Sequence, residues 1–444
     1  ESAEQSLREV LEIDPSNREA RHNLQILLGK RHKEVGAEVK KEFQIENCKL
    51  QIENDGEASP DTESAVVHVP SRKCLRIGLA SFYPRPFRTE TPYKQPLGGS
   101  ESALCYLAEA LAGKQQEVFL LSAAGETGVS RGVACLPLTP EGLREIPPLD
   151  FFIVQNLCGK ARVLRQALGS RTRLIFWTGH GPEQPAVQAL RDPGERAAYD
   201  AFVFVSDWQR GRYKESFAID PSRAFVLGNA ISPAFQNLFG PDESILAAKA
   251  QLFVLAYTST PDRGLELLLE GFPRIRKAMP GITLQVFSGL RLYGFSEAQD
   301  EAQYGALYRK CRETEGVESI GPVPQPELAR RLRRVSVLAY PNTVPETFCI
   351  AVLEAMAAGC CVVTSQLGAL PETTAGFGRL IPMDGDKENY LDRFVEKTLE
   401  VLHQLGGPGK PELENHLRRQ VKYVNENCTW PLVAEKWIQW IKGQ

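Results

Sequence analysis

Nowhere does this sequence hold the roughly 18 consecutive apolar residues that a membrane span needs, so no span is expected. It also lacks an excess of one charge. Its 52 Lys and Arg stand against 55 Asp and Glu, a net charge of -3, which argues against a nucleic-acid partner. Its ten cysteines include no C-x-x-C pair and are scattered singly apart from Cys360–Cys361, which argues against a zinc site. Cys105, Cys349 and Cys361 sit inside apolar runs, where cysteine behaves as a small hydrophobe. Free thiols in a reducing, cytoplasmic compartment are therefore expected. The opening "ESAEQSLREV" is polar and helical, with nothing of a signal peptide, and a chain starting at Glu1 reads as a fragment of something longer. What the chain does have is 444 residues at 43% hydrophobic composition, enough for two or three domains with real cores.

Residues 1–34 read as a separate unit of two amphipathic helices split by Asp14-Pro15-Ser16-Asn17. Leu7, Val10 and Leu11 mark one apolar face, and Ala20, Leu24 and Leu27 the other. The spacing resembles one tetratricopeptide repeat, which implies either an array upstream or a solitary hairpin docked on the body. The resemblance also implies a possible protein partner, since such arrays bind extended peptides. Residues 35–73 are charged, poor in aromatics, and read as linker.

From Cys74 onward, short strand-like runs alternate with helical segments. "LRIGLA" (75–80), "EVFLLS" (117–122), "FFIVQN" (151–156), "RLIFWTG" (173–179), "AFVFVS" (201–206) and "AFVLGN" (224–229) form a first series. "FVLAYTS", "ITLQVFSG" (282–289), "VESIGPV" (317–323), "SVLAYP" (336–341) and "CVVTS" (361–365) form a second. The expected fold class is α/β, with two Rossmann-like domains, each a parallel sheet covered on both faces, facing a central cleft. The expected boundaries are 74–240, 241–425, and a final helix in 426–444 that packs back on the body. That helix carries Trp430, Val433, Trp437 and Trp440 on one face, a packing stripe rather than a ligand platform.

Ligands of such sheets bind where strand ends meet helix N-termini, so those turns carry the candidates. Gly98-Gly99 precede a helix whose free N–H groups suit a phosphate. His180, between Gly179 and Gly181, is the histidine that ends a parallel strand. Arg263-Gly264 opens a helix after the first strand of the second series, where a cation suits a diphosphate. Glu346 precedes a helix expected over 348–358 and stopped by Gly359, with the N–H groups of Phe348, Cys349 and Ile350 facing the cleft. Glu354 sits inside that otherwise apolar helix. Burying a carboxylate is costly unless it is paired or hydrogen-bonded. Glu354 is therefore either a clamp for a vicinal diol, such as a ribose offers, or a structural residue paired to a basic neighbour. Asp384-Gly385-Asp386 reads as a turn and not as a metal site.

"PETFCIAVLEAMAAGCCVV" (345–363), with seven residues between Glu346 and Glu354, resembles the E-x7-E signature of retaining GT-B glycosyltransferases of family 4. "GGSESALCYLAEALA", "FVFVSDWQRGRY", "VLGNAIS" and "GALPET" resemble further elements of that family in the same order, over about 74–444. The resemblance implies a hexosyltransferase-type enzyme that takes a sugar from a nucleotide-diphosphate sugar, for example a UDP- or GDP-sugar, and passes it to a protein or glycan acceptor. It implies no metal and no cofactor beyond that co-substrate. It implies Glu354 on the ribose, Glu346 on the donor sugar, Arg263 on the diphosphate, His180 near the sugar, and Gly98, Gly99 and the 348–350 backbone around them. The chain departs from the family at Thr258, where an arginine is usual, at Ala230 and Ser232 in the Asn-Gly-Ile-Asp element, and at Cys349, where glycine is usual. A non-catalytic scaffold on a degenerate GT-B body, or a GT-B sugar-nucleotide epimerase, are the rival readings.

Overall fold

The computed structural model describes residues 74–123, 127–249 and 253–443. The repeat-like hairpin of 1–34 and the linker of 35–73 lie outside the described residues. The chain after Pro70 forms one compact unit.

Its first sheet has eight strands: β1 (Arg76–Ser81), β2 (Glu117–Ser122), β3 (Gly128–Ser130), β4 (Val133–Pro137), β5 (Phe151–Gln155), β6 (Arg173–Thr178), β7 (Ala201–Phe204) and β8 (Ala224–Val226). The second has six: β9 (Val254–Tyr257), β10 (Thr283–Val286), β11 (Val317–Ser319), β12 (Val337–Tyr340), β13 (Cys361–Ser365) and β14 (Arg379–Ile381). The spatial orders are β3-β4-β2-β1-β5-β6-β7-β8 and β11-β10-β9-β12-β13-β14. All pairings are parallel except β3 with β4. Central strands such as β5, β7, β12 and β13 are buried along their whole length, as helix-covered parallel strands must be.

Each of the eleven strand-like runs read from the sequence overlaps an observed strand. The reading missed β3, β4 and β14; β3 and β14 have only three residues each. β3 and β4 form a hairpin across Arg131 and Gly132, both at positive φ, the geometry of a two-residue hairpin turn. The order reverses between β1 and β5 in one sheet and between β9 and β12 in the other. Those two points are where a doubly wound fold places its ligands.

The final helix, Trp430–Lys442, lies in the core of the first domain, against the helix Gly99–Gly113. Trp437 meets Trp177 of β6 edge to face at 5.8 Å, and Trp430 lies 6.3 Å from Tyr106. The Trp stripe is therefore packing. Asp384-Gly385-Asp386 is a turn: Gly385 has φ 88°, Asp384 pairs with Arg393, and Asp386 accepts from the Asn389 N–H at a helix start.

One expected element needs correction. The helix around Glu354 runs Ile350–Ala357, not 348–358, and Cys349 is its N-cap at φ 80°, ψ 80°. This left-handed backbone bends the chain just before the helix, so Phe348 and Cys349 lie outside it. An L residue there carries strain of roughly 1–3 kcal/mol, which glycine would not. Cys349→Gly is accordingly expected to stabilise the protein by about 1 kcal/mol after the glycine's extra unfolded-state entropy is deducted. Urea denaturation gives the value, and a destabilised variant would mean that the thiol's packing outweighs the strain.

Candidate functional site

The second sheet supplies the charged half of the site. Arg263 ends a short turn, Pro261–Arg263, that follows β9, and Glu346 lies in the loop that follows β12. These strands flank the sheet's reversal point, so the two residues, 83 positions apart in sequence, meet. Arg263 Nη1 lies 2.6 Å from Glu346 Oε1, and the Tyr340 hydroxyl donates to the same oxygen at 2.5 Å. Burial pulls the guanidinium's pKa down, but the Glu346 charge outweighs it and holds Arg263 above its ordinary value. The Glu346 carbonyl accepts from the Ala369 N–H at 2.7 Å. Gly368, at φ 64°, allows this approach, because a Cβ there would stand 2.3 Å from that carbonyl oxygen.

The first sheet supplies His180, just beyond β6. Its backbone is held on several sides. The Asn156 amide oxygen accepts from Gly179 N at 2.8 Å, His180 N donates to Thr178 Oγ1 at 3.0 Å, and the His180 carbonyl accepts from Gln209 and Tyr213. Burial, and then the nearby Arg263 charge, push the imidazole down to about 4, so it is neutral at pH 7. Its Nδ1 is buried without a partner. The Thr347 hydroxyl donates to the Gly179 carbonyl at 2.6 Å, which ties the Glu346 loop directly to the His180 turn.

Gly98 caps the helix Gly99–Gly113 and Gly99 is its first residue. A Cβ on Gly98 would fall 2.3 Å from Glu101 Oε2 and 2.8 Å from the ring of Tyr293, which belongs to the second domain. A Cβ on Gly99 would stand 3.8 Å from Ile350 Cδ1. The glycine pair thus faces the second domain at close range. Phe348 and Ile350 contribute side chains as well as backbone there: Phe348 packs against the apolar clusters of both domains. Because the helix begins at Ile350, its free first-turn donors start at Ile350 rather than at Phe348.

Glu354 stands apart from the Arg263–Glu346 pair. It is 3% exposed and accepts from the Ser232 N–H at 3.2 Å, while the Ser232 hydroxyl reaches the Tyr106 hydroxyl at 3.0 Å. No basic residue within salt-bridge distance of it is found among the described residues, so the structural alternative of an ion-paired Glu354 is not what the fold contains. Burial raises its carboxyl to about 8, with Ser232 and Gln325 offsetting part of the rise.

Several residues here were not among the site candidates read from the sequence, although Thr258 was noted there as a departure from the family. Glu101 is 6% exposed at the start of the glycine-capped helix, its Oε2 lacks a partner, and burial raises its pKa. Gln155 Oε1 and Thr258 Oγ1, at the ends of β5 and β9, are likewise buried and unpartnered. Unsatisfied polar atoms of this kind are rare in native interiors, and those of Gln155 and Thr258 stand at strand ends beside the two reversal points. The one available signal was a polar residue closing an apolar strand. Across the cleft, Arg85 donates to the Leu292 carbonyl at 2.7 Å, and Tyr83 donates to the Tyr293 carbonyl. Among the described residues, no group of three or more His, Cys, Asp or Glu could hold a metal ion, and no helix is long and apolar enough to cross a membrane.

Residues 248–404 match the family described as "Glycosyl transferases group 1". The chain is 32% identical over 186 residues to phosphatidyl-myo-inositol mannosyltransferase of Mycobacterium tuberculosis, covering 41% of this chain and 45% of that one. It spans about half the length of the curated relatives it matches. Sucrose-phosphate synthase from Thermosynechococcus elongatus has the same fold at TM-score 0.63 and 16% identity, over 83% of this chain and 98% of that one. Anabaena HepE, solved in complex with UDP-glucose, superposes at TM-score 0.58 and 15% identity, over 83% and 100% of the two chains. The two facing α/β domains are thus those of the GT-B fold.

Proposed function

We propose that this protein is a retaining, metal-independent glycosyltransferase that moves a sugar from a nucleotide-diphosphate sugar to a protein or glycan acceptor. The observation that carries the reading is the meeting of Arg263 and Glu346 at the reversal point of the second sheet, with neutral His180 opposite them on the first. In the ligand-free protein Glu346 occupies Arg263. A diphosphate would take over the guanidinium, and the released Glu346 would turn to hydroxyls of the donor sugar. The leaving diphosphate gathers negative charge as the glycosidic bond breaks. Arg263 and the N–H donors that open at Ile350 are placed to stabilise it. His180, uncharged and with Nδ1 free, would hydrogen-bond the sugar without competing for the phosphate.

A thermal-shift screen of UDP- and GDP-sugars, followed by turnover of the donor that binds, tests this reading. A ligand at a hundred times its Kd should add about 2.7 kcal/mol of stability. If no nucleotide sugar stabilises the protein, the scaffold reading takes its place, with strained Cys349 and Thr258 as the marks of a lapsed site.

His180→Ala is expected to reduce turnover sharply while leaving UDP affinity nearly unchanged, because the histidine ends a first-domain strand and the nucleotide is assigned mainly to the second. A parallel loss of UDP binding in calorimetry would contradict that division. Turnover is also expected to persist in EDTA. Strict dependence on added Mg or Mn would overturn the metal-free mechanism.

A further inference from the structure

We infer that Glu372 and Gln209 are positioning residues that couple closure of the two domains to the placement of His180; the role this gives His180 rests on the function proposed above. Glu372 lies in the short helix Leu370–Thr374 of the second domain. Its carboxylate reaches across to the first domain and accepts from Asp207 N at 2.9 Å and Trp208 N at 2.7 Å. These are the first two donors of the helix Asp207–Phe217, and the third, Gln209 N, is taken by the Ser206 hydroxyl at 3.0 Å. A carboxylate from one domain thus completes the N-terminus of a helix in the other, where both the free donors and the helix dipole favour negative charge.

The same first turn holds Gln209, which is fully buried. Its amide oxygen accepts from Val205 N at 2.8 Å, and its Nε2 donates to the Thr178 carbonyl at 3.0 Å and the His180 carbonyl at 2.8 Å. One turn further, Tyr213 donates to the His180 carbonyl as well. Behind Glu372, Ala369 N donates to the Glu346 carbonyl. Hydrogen bonds, linked by the short covalent stretches Ala369–Glu372 and Trp208–Gln209, therefore join the Glu346 loop to the backbone of His180. When the domains separate, Glu372 leaves the helix start, the first turn frays, and Gln209 loses its hold on the histidine turn.

Hydrogen exchange, read amide by amide on the ligand-free full chain, tests this without reference to activity. Glu372→Ala should speed exchange at Asp207 and Trp208 roughly tenfold, the effect of losing charge-assisted hydrogen bonds, and should speed exchange at His180 as well. The amides of β1 serve as an internal reference and should not change. Gln209→Ala should speed His180 while leaving Asp207 and Trp208 at wild-type rates. Glu372→Asp should restore part of the protection. The inference is overturned if Glu372→Ala leaves His180 unchanged, or if it speeds β1 by the same factor, which would report global destabilisation. With UDP-glucose as donor, Glu372→Ala should lower kcat several-fold more than it raises KM. If wild-type protein turns over no donor, the function proposed above fails, and the exchange experiment still decides the coupling.

Discussion

Glu354→Gln is expected to stabilise the ligand-free protein at pH 8, leave it nearly unchanged at pH 5, and weaken nucleotide binding. The wild-type carboxyl, ordinarily near 4.5, stands at about 8 in the fold because burial disfavours its charge. Between those values the folded protein holds a proton that the unfolded chain has released. The stability this group contributes is therefore fully present below the unfolded pKa, falls as pH rises through the window, and is gone above the folded value. Glutamine resembles the protonated acid in shape and cannot ionise, so the variant lacks that decline. The difference at pH 8 should be on the order of a few kcal/mol. Urea denaturation at the two pH values reads it, and parallel pH profiles would show that the carboxyl is not held neutral.

The same substitution should cost about 1.5–3 kcal/mol of UDP affinity if the carboxylate grips the ribose diol, since hydrogen bonds to a charged group are lost. At pH 7 the free protein holds the acid mainly protonated, so binding should release a proton and the calorimetric heat should vary with the buffer. Unchanged affinity would end the clamp role and leave Glu354 as a structural partner of Ser232 and Gln325.

Arg263→Ala should destabilise the protein by about 3–5 kcal/mol, because it leaves the buried Glu346 charge without its cation. The double variant Arg263→Ala, Glu346→Gln should recover most of that loss, since it removes both charges at once. A denaturation cycle over the four proteins measures the coupling, and additive effects would show that the pair is not energetically joined. UDP affinity should fall in both variants that lack Arg263, whatever their stability. This separates the two tasks of the guanidinium, balancing Glu346 in the empty protein and binding phosphate in the loaded one.

Much of this architecture is written locally. A short, β-branched and aromatic run such as "FFIVQN", apolar on both faces, suits a central parallel strand, and the glycines and prolines between runs leave few ways to connect them. Short strands escaped notice where a few residues carry too little periodicity, as in Arg379–Ile381. The candidates Gly98, His180, Arg263 and Glu346 could be read because each stands in a turn that follows or precedes a recognisable element. Glu101 could not, because a glutamate in the first turn of a helix is ordinary in sequence. The folded structure buries it, with Tyr293 of the other domain close by, and leaves one of its oxygens without a partner. Glu372 stays exposed at the surface, and only the placing of the Asp207 helix gives its carboxylate two N–H donors from the other domain.

The sequence by itself determined the two α/β series, the turns that carry chemistry, and the anomaly of a carboxyl in the apolar helix at Glu354, because backbone periodicity and the cost of burying charge act within a few neighbouring residues. The tertiary structure alone decided what those groups meet. It paired Arg263 with Glu346 across the reversal point, gave Glu354 the Ser232 N–H instead of a cation, and bent Cys349 into a left-handed turn. Contacts between groups tens to hundreds of positions apart depend on how the sheets are ordered and how the two domains close, and no local pattern of residue types encodes that.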